Sequence, residues 1–356
     1  MKVLGIETSC DECAAAVVED GKKILSSVVA TQIPFHAVYN GVVPEIASRK
    51  HTEWINIVVQ EALDKASLKP DEINAVAATA HPGLLGSLLV GMSFAKAFAF
   101  ARDIPFIAVD HMLAHLYAPR LITNNGDECP DYPFLGLLVS GGHSFICRAD
   151  DFDDITILGA TIDDAVGEAF DKVSKHYGFG YPGGAIIDKL AKTGNPRAYN
   201  FPLPSLHKGD HKYDMSYSGL KTAAINQLGK FYAGKADMAE HDSDEPNPAD
   251  IAASFQKTAV DILLRSLFKA AEDTGLNTVI AGGGVAANSY LRAALAERND
   301  LRCIFPPPEL CGDNGAMIAG LAYQYLARGE QSSLRATASA RVKSFKRRYP
   351  CYNSVL

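Results

Sequence analysis

The sequence predicts an α/β protein made of two similar lobes, each with its own core. A polar turn between two apolar, β-prone runs occurs at residues 2–18 and again at residues 134–148, which indicates an internal duplication. Buried strands alternate with amphipathic helices in both halves. The chain has 356 residues, of which 47% are hydrophobic and 21% charged, so it is long enough for about two core-forming units.

The first lobe is predicted to span residues 1–122. Its elements, in order, are strands at 2–6 and 14–18, a helix at 52–66, a strand at 73–80, a helix at 84–101 and a strand at 106–109. The helix at 84–101 is interrupted by Lys96 and contains Gly86 and Gly91. A bilayer span needs about 20 mostly apolar residues, so we expect a buried helix and no contact with a membrane.

The second lobe is predicted to span residues 131–312, after a polar boundary segment at 123–131. Its elements are strands at 134–139 and 144–148, helices at 164–177, 185–191 and 251–273, a strand at 278–281, a helix at 286–298 and a strand at 301–305. An irregular insert is expected at 194–249, with an acidic loop at 239–249. A last helix, 313–328, is expected to complete the first lobe and to precede a basic tail, 329–356.

Charge and cysteine content limit the classes of function. The formal net charge of −7 argues against a broad basic face for nucleic acid and leaves a local patch at 343–348, which is equally typical of a solvated tail. Seven cysteines favour a reducing compartment over a disulfide framework. Cys10 and Cys13 form a lone C-x-x-C between two β-like runs, so a redox role is the weaker interpretation. The N-terminus lacks the apolar length of a secretory signal, and we expect a cytoplasmic protein.

Two histidines, His111 and His115, are spaced to lie on one face of a helix, where they could share a metal ion. A zinc protease of the H-E-x-x-H type needs a glutamate after the first histidine, and Met112 occupies that position. The pattern therefore indicates a metal without peptidase machinery. The alternative is that both histidines pack in a helix core or bond backbone carbonyls.

Three glycine-rich or polar turns each follow a buried strand, at residues 7–12, 140–144 and 282–288. Turns of this kind let backbone N–H groups approach a phosphate, although any one of them is also common in tight hairpins. Together they resemble the pattern of the actin, hexokinase and heat-shock-chaperone ATPase superfamily. That resemblance implies a duplicated two-lobed fold with a nucleotide cleft between the lobes.

A narrower resemblance rests on a series of motifs that occur in order along residues 1–328. They are GIETSCDE at 5–12, VVPEIASR at 42–49, the histidine pair, LVSGGH at 138–143, GEAFDK at 167–172, YPGG at 181–184, SYSGLKT at 216–222, AGGGVAAN at 281–288 and CGDNGAMIA at 311–319. This series is similar to that of the bacterial tRNA adenosine threonylcarbamoyltransferase family. One departure is His81, where family members usually have glycine.

The resemblance implies transfer of a threonylcarbamoyl group from threonylcarbamoyl-AMP to the N6 amine of the adenosine next to the anticodon (position 37), in tRNAs that read codons beginning with adenine. It implies one divalent metal on His111, His115 and Asp313, with Fe²⁺ expected and Zn²⁺ or Mg²⁺ possible. Asp313 alone would also pass as a helix N-cap. The implied partners are tRNA, a paralogous subunit, an ATPase subunit and a separate donor-making synthase.

The same resemblance assigns a donor site that ATP or AMP could also occupy. Its implied residues are Leu138, Val139, Ser140, Gly141 and Gly142 at the phosphate or acyl end, and Asp171, Gly184, Asp188 and Asn288 around the adenosine. Without the resemblance, the aspartates would pass as surface carboxylates and the asparagine as a helix residue beside a turn. Asp11 and Glu12 could orient or deprotonate the amine, or be solvated turn residues.

Three other functions remain as alternatives. A small-molecule kinase of the same superfamily would use an aspartate base and magnesium but leaves the histidine pair unexplained. A metalloprotease lacks its glutamate. A noncatalytic paralogue that only binds a partner would not need the complete set of His111, His115, Asp313 and the glycine turn at 140–142.

Overall fold

The computed structural model describes residues 1–121, 131–206, 211–233, 247–341 and 345–347. Over these residues the chain forms one five-stranded and one six-stranded sheet, each flanked by helices. The predicted boundary at 123–131 lies almost wholly outside the described residues, as do most of the acidic loop, Lys343 and Arg348.

The first sheet has the order β3-β2-β1-β4-β5. Its strands are β1 Lys2–Glu7, β2 Glu12–Glu19, β3 Lys23–Thr31, β4 Ala75–His81 and β5 Phe106–Asp110. The opening hairpin pairs β1 with β2 antiparallel, whereas β4 lies parallel to β1 and β5 parallel to β4. The carboxyl ends of β1, β4 and β5 therefore meet at one edge of the sheet, which is where α/β proteins place functional side chains.

The second sheet has the order β10-β9-β6-β7-β8-β11. Its strands are β6 Phe134–Val139, β7 Ser144–Ala149, β8 Ile155–Ala160, β9 Thr278–Gly282, β10 Arg302–Ile304 and β11 Lys346–Arg347. An antiparallel hairpin, β6 and β7, again lies beside a parallel strand, β9. The hairpin-plus-parallel-strand arrangement is thus present in both sheets.

Eleven α-helices surround the sheets in the described residues. They are α1 Ile33–Ala37, α2 Pro44–Lys65, α3 Leu85–Arg102, α4 His111–Tyr117, α5 Val166–His176, α6 Gly183–Ala191, α7 Ser218–Ala233, α8 Pro248–Thr274, α9 Ser289–Ala296, α10 Pro308–Cys311 and α11 Gly315–Ala327. Helix α11 packs closely on β1, because a side chain at Gly5 would overlap the backbone of Gly315 and Ala319. The last helix therefore packs on the first sheet, although the helix and the sheet are far apart in the sequence.

A C-terminal strap follows α11 along the edge of the first sheet; we use this name for residues 330–341. The Ser332 backbone N–H donates to Phe106 O at 2.8 Å, and the Ala108 N–H donates to Ser332 Oγ at 2.9 Å. Further along, the Ser339 N–H donates to Ala80 O at 2.9 Å. The strap thus covers the β5 edge, which would otherwise expose unpaired backbone groups.

Helix α3 is buried on one face only, whereas the sequence predicts a buried helix. Its inner face, with Met92 and Ala95, packs in a hydrophobic core with residues of the first sheet and α2, but Leu89 and Phe100 are exposed. By length and composition, residues 85–102 are the one described helix that could cross a membrane, with a mean hydropathy of 1.2 and 33% of its residues buried. This helix packs through its inner face against α2 and β4.

The structure differs from the sequence prediction at several elements. Strands β3 and β8 were not predicted, and α2 begins at Pro44 instead of residue 52. The insert predicted to be irregular contains helix α7. The helix predicted at 286–298 is a 3-10 turn at Gly284–Ala287 followed by α9, because Asn288 caps α9 and its backbone is not helical.

Candidate metal centre and nucleotide cleft

His111 and His115 lie in the first and second turns of α4, which begins where β5 ends. Asp110 caps this short helix by accepting hydrogen bonds from the Met112 N–H at 2.7 Å and the Leu113 N–H at 3.1 Å. The two imidazole rings stand edge to face with centroids 4.5 Å apart. Both are buried, with His115 only 1% exposed.

Asp313 reaches these histidines from the loop before α11. Its Oδ1 lies 3.1 Å from His115 Nε2 and 3.6 Å from His111 Nε2. The cap of α11 is the next residue, Asn314, whose Oδ1 accepts from the Met317 N–H at 2.9 Å. Asp313 therefore does not act as the N-cap, and its carboxylate faces the imidazoles.

Glu7 supports this cluster from the end of β1, and sequence reasoning missed it as a site residue. Its Oε2 lies 3.0 Å from His111 Nδ1 and accepts from Thr79 Oγ1 at 2.5 Å. The Ser9 N–H donates to its other oxygen, and Ser9 Oγ lies 3.2 Å from His111 Nδ1. Because Nδ1 is held by these groups, Nε2 is the nitrogen left for a ligand. A carboxylate behind a metal-binding histidine is the usual supporting contact in metal sites.

The donor set fits a single divalent cation. One ligand atom from each of His111, His115 and Asp313 lies within 4.8 Å of the others. Two imidazole nitrogens and one carboxylate oxygen suit zinc, iron and related ions. Burial opposes a charge on His111, but Asp313 and Glu7 raise its pKa. Burial acts to raise the pKa of the Asp313 carboxyl, but the adjacent histidines lower that pKa below its usual value. The cluster is therefore an anionic site that holds positive charge.

The turn between β6 and β7 contacts the same region from the second lobe. The Ser140 backbone N–H donates to His143 O at 2.8 Å, and the His143 N–H donates to Ser140 Oγ at 3.0 Å. Gly141 and Gly142 have open space where a side chain would stand, with no heavy atom within 4 Å. Burial, followed by the charge of His111 and His115, lowers the pKa of His143 to about 4, so its imidazole is neutral beside the cluster.

Leu138 and Val139, at the end of β6, are buried and do not line open space. Their strand is held against the next glycine turn, since Gly283 has φ +90° and a side chain there would lie 2.4 Å from Val139 O. Gly282 packs in the same way on His115 O, at 2.5 Å from the position of a Cβ. These close approaches join the second sheet to the end of α4.

The predicted adenosine residues lie in the second lobe around α6 and α9. Asp171 Oδ1 accepts from the Gly183 N–H at 2.7 Å, and Gly184 has open space beside it. Asp188 accepts from the Ser289 N–H at 3.0 Å and from Ser289 Oγ at 2.7 Å. Asn288 caps α9 and donates to Gln256 Oε1 at 3.0 Å. Asp188 thus joins α6 to α9, and Asn288 joins the start of α9 to α8, whereas Gly184 borders open space.

Asp11 and Glu12 face this wall from the first lobe. Burial raises the pKa of Asp171 to about 6, and the charge of Asp11 adds to that shift across the cleft. Burial also raises the pKa of Tyr181, again with contributions from Asp11 and Asp171. The pKa of Glu12 is raised as well, first by burial and then by the charges of Asp313 and Asp11. Asp11 is only 7% exposed, so the solvated-turn interpretation of this residue is wrong.

A separate groove of about 770 Å³ lies at the opposite end of the second lobe, next to the end of α8 and the loop before β10. Lys212, Arg265, Lys269 and Arg298 are among its lining residues. None of the predicted site residues lines it.

The fold is that of a two-lobed, actin-like ATPase. The chain is similar to HypF in its phosphate- and nucleotide-bound form, with a TM-score of 0.59 and 15% identity over 93% of this chain and 47% of that one. It is also similar to component A of (R)-2-hydroxyglutaryl-CoA dehydratase from Acidaminococcus fermentans, with a TM-score of 0.53 and 15% identity over 92% of this chain and 99% of that one. Both likenesses define the fold class.

Sequence relatives are far closer. Residues 23–320 match the family model of tRNA N6-adenosine threonylcarbamoyltransferase. Proteins of that name from Treponema denticola and Treponema pallidum are 62% and 52% identical over 348 residues, covering 98% of this chain and 99% and 95% of the relatives. The chain therefore belongs to the tRNA N6-adenosine threonylcarbamoyltransferase family and is a transferase, as the motif series predicts.

Proposed function

We propose that this transferase moves a threonylcarbamoyl group from threonylcarbamoyl-AMP to the N6 amine of the adenosine next to the anticodon, in tRNAs reading codons that begin with adenine. The observation that carries the proposal is the meeting of His111, His115 and Asp313 with the open glycine turn at 140–142, in a chain of this family. HypF, which shares the fold, has been solved in a phosphate- and nucleotide-bound form, and this supports a nucleotide in the cleft of this chain.

His111, His115 and Asp313 would hold one divalent cation, with Fe²⁺ preferred over Zn²⁺ or Mg²⁺ because two imidazoles and one carboxylate with open positions are typical of iron sites. Such an ion supplies Lewis acidity toward an acyl or phosphate oxygen. Glu7 holds His111 with Nε2 directed at Asp313, so the ligands are oriented before the ion binds.

The second lobe positions the donor in this proposal. The backbone of Ser140, Gly141 and Gly142 receives its phosphate or acyl end, because no side chain blocks the approach. Asp171 and Gly184 border the adenosine, while Asp188 acts by joining α6 to α9 and Asn288 by capping α9 and joining it to α8. ATP or AMP could occupy the same place.

The first lobe positions the acceptor amine. Adenine N6 is a weak nucleophile, so the rate depends on placing it beside the acyl carbon and on accepting its proton. Asp11, which is buried on the first turn, accepts this proton in the proposal. Glu12 has a raised pKa from burial and is held by Thr31 Oγ1 at 3.4 Å, so it suits donation of a hydrogen bond.

The proposed partners are tRNA, a paralogous subunit, an ATPase subunit and a donor-making synthase, in the cytoplasm. A partner would account for the exposed apolar side chains on two adjacent helices of the first lobe, with Ile57 64% exposed on α2 and Leu89 49% exposed on α3. It would also add basic surface for tRNA to a chain whose net charge is −7.

Reconstitution tests this function. The purified protein, its partners, unmodified tRNA, threonine, bicarbonate and ATP should yield threonylcarbamoyladenosine, detected by mass spectrometry of digested tRNA. We expect His115→Ala to abolish product and Asp11→Asn to lower turnover by about 10²-fold or more while AMP still binds. The exposed residue His176 provides the control, since His176→Ala should retain activity. Wild-type turnover in His115→Ala would refute the proposed metal role, and wild-type turnover in Asp11→Asn would refute the proposed base.

A further inference from the structure

The turn after β1 is held in place by three other segments of the first lobe, which donate hydrogen bonds to its backbone. Three consecutive carbonyl oxygens are the acceptors. Their donors are the Leu84 N–H for Ser9 at 2.7 Å, His51 Nε2 for Cys10 at 2.9 Å and the Gln32 N–H for Asp11 at 3.0 Å. Of these three contacts, only that of His51 with Cys10 is made by a side chain. It is therefore the one that a substitution can remove.

His51 lies in helix α2, is 0% exposed and uses only one of its ring nitrogens. Its Nε2 must carry the proton, because a carbonyl oxygen can only accept. Its Nδ1 has no hydrogen-bond partner within the part of the chain that the structure describes. Burial lowers the pKa of His51 and outweighs the hydrogen bond to Cys10 and the charges of Glu7 and Asp11, which act to raise it. The imidazole is therefore neutral at pH 7, with its one proton on Cys10.

The stability of α2 does not explain a histidine at this position. Ala47 and Ile55, one turn before and one turn after His51, are buried apolar residues on the same face. One neutral hydrogen bond returns little more than the cost of taking its two groups out of water. The unpaired Nδ1 adds a cost that an apolar side chain would not have. What the histidine provides is its hold on the Cys10 carbonyl.

That hold acts directly on Asp11. The Cys10 carbonyl belongs to the planar peptide that ends at the Asp11 Cα, so fixing this plane restricts φ of Asp11. The next peptide is fixed as well, because Gln32 donates to Asp11 O. With both flanking peptides held, the direction in which the Asp11 side chain leaves the backbone is set.

We propose that His51 is a positioning residue for the transfer step, acting through the Cys10 carbonyl to aim the Asp11 carboxylate at the acceptor amine. The inference rests on the proposed function. In that step N6 bonds to the acyl carbon, the bond from this carbon to the phosphate oxygen breaks with its electron pair leaving on AMP, and the amine proton goes to Asp11. His51 touches neither substrate, so its loss should slow this step and leave binding unchanged.

Single-turnover transfer by the reconstituted full-length protein tests this role with three substitutions at one position. His51→Leu removes the donor, His51→Asn is too short to reach the carbonyl, and His51→Gln keeps an amide N–H near the place of Nε2. We expect the first two to lower the rate about 10- to 100-fold and His51→Gln to stay within about threefold of wild type. KM for tRNA and the Kd of AMP should not change. Val58→Ala, a buried truncation on the same helix, controls for lost stability and should keep the wild-type rate.

A second measurement separates positioning from a general defect. In an Asp11→Asn background, His51→Leu should lower the rate by less than about twofold, because no carboxylate is left to aim. A general defect would reduce the rate by the same factor in both backgrounds. If His51→Leu does not fold, His51→Gln and His51→Asn are compared in its place.

Three results would overturn the positioning role. They are a wild-type rate in His51→Leu or His51→Asn, an equal loss in His51→Gln, and an undiminished further loss in the Asp11→Asn background. Failure of the proposed function has a different signature. In that case the wild-type protein makes no threonylcarbamoyladenosine, or Asp11→Asn alone turns over at the wild-type rate.

Discussion

The turns at residues 7–12 and 140–143 occupy equivalent places in the two lobes, yet they present different parts of the chain to the cleft. The first turn presents side chains: Glu7 and Asp11 are buried and charged, and Glu7 holds His111. The second presents backbone, because Gly141 and Gly142 leave open space. The same strand-turn-strand arrangement thus places buried carboxylates at the end of one hairpin and open backbone at the end of the other.

The largest effect expected from this difference concerns Glu7. Glu7→Gln keeps the shape and an oxygen that can accept from Ser9 or Thr79, but it removes the charge behind His111. We expect metal affinity to fall by about 10- to 100-fold, as for other supporting carboxylates. A metal titration measures this, with Glu45→Gln on the exposed end of α2 as the control. Equal affinities in Glu7→Gln and wild type would mean that the first turn does not orient the ligand.

The next prediction compares the effect on stability of adding a side chain at two glycines, Gly167 packed against the second turn and Gly141 within it. A side chain at Gly167 would lie 2.6 Å from Ser140 O, whereas one at Gly141 would meet nothing within 4 Å. Gly167→Ala should therefore cost about 1–3 kcal/mol of stability, and Gly141→Ala less than about 0.5 kcal/mol. Thermal unfolding measures both. AMP binding should weaken in Gly141→Val although the protein stays folded; unchanged AMP affinity there would show that the nucleotide does not approach this turn.

A smaller effect on stability is expected from the electrostatic repulsion between Asp171 in the second lobe and Asp11 in the first. The pKa of Asp171 is raised to about 6 by burial and by Asp11, so its folded-state pKa exceeds that of the unfolded chain. Ionised Asp171 then opposes folding: the penalty is absent below about pH 4 and complete above about pH 6. Asp171→Asn should raise the melting temperature at pH 7.5 but not at pH 4. The gain should shrink when Asp11→Asn is also present, and a gain independent of pH would contradict this account.

The smallest effect concerns the side-chain contact that closes the second turn. Ser140→Ala removes the acceptor of the His143 N–H, a bond of 3.0 Å, while the backbone bond from Ser140 N–H to His143 O remains. We expect a loss of about 1 kcal/mol in stability, read from thermal unfolding. A much larger loss would show that this turn, like the first, depends on its side chains.

Much of the fold could be predicted from local patterns, and the misses have physical causes. The strands with continuous apolar runs, such as β1, β4, β6 and β9, are confirmed. Strand β3 was missed because alternate residues of this outer strand are exposed and its sequence mixes polar and apolar residues without a buried run. Helix α7 was missed because it follows the polar segment 194–217, which is held by residues distant in sequence. For example, the Tyr217 N–H donates to Asp163 Oδ1 at 2.7 Å.

Site residues that belong to a recognisable motif could be predicted from the sequence. Residues whose role depends on tertiary contacts could not. Spacing alone indicated His111 and His115, and the resemblance supplied Asp313. Nothing local marks Glu7 as the partner of His111, because the two are 104 residues apart in the chain. Its sequence signals are its place in the GIETSCDE motif and its position at the end of a strand with an apolar run, and neither signal names His111 as its partner. Asp188 and Asn288 were predicted around the adenosine, and in the structure both are occupied in holding helices.

The course of the C-terminal strap sets a mechanical limit on the molecule. Ser339 is bonded to Ala80 in the first sheet, and β11, from Lys346, pairs with β8 in the second. Seven residue steps separate these anchors, and a fully extended chain of that length spans about 25 Å. The two anchor points therefore cannot move further apart than this while both stay paired. The number of residues between the two anchors therefore limits how far the two sheets can separate at these points.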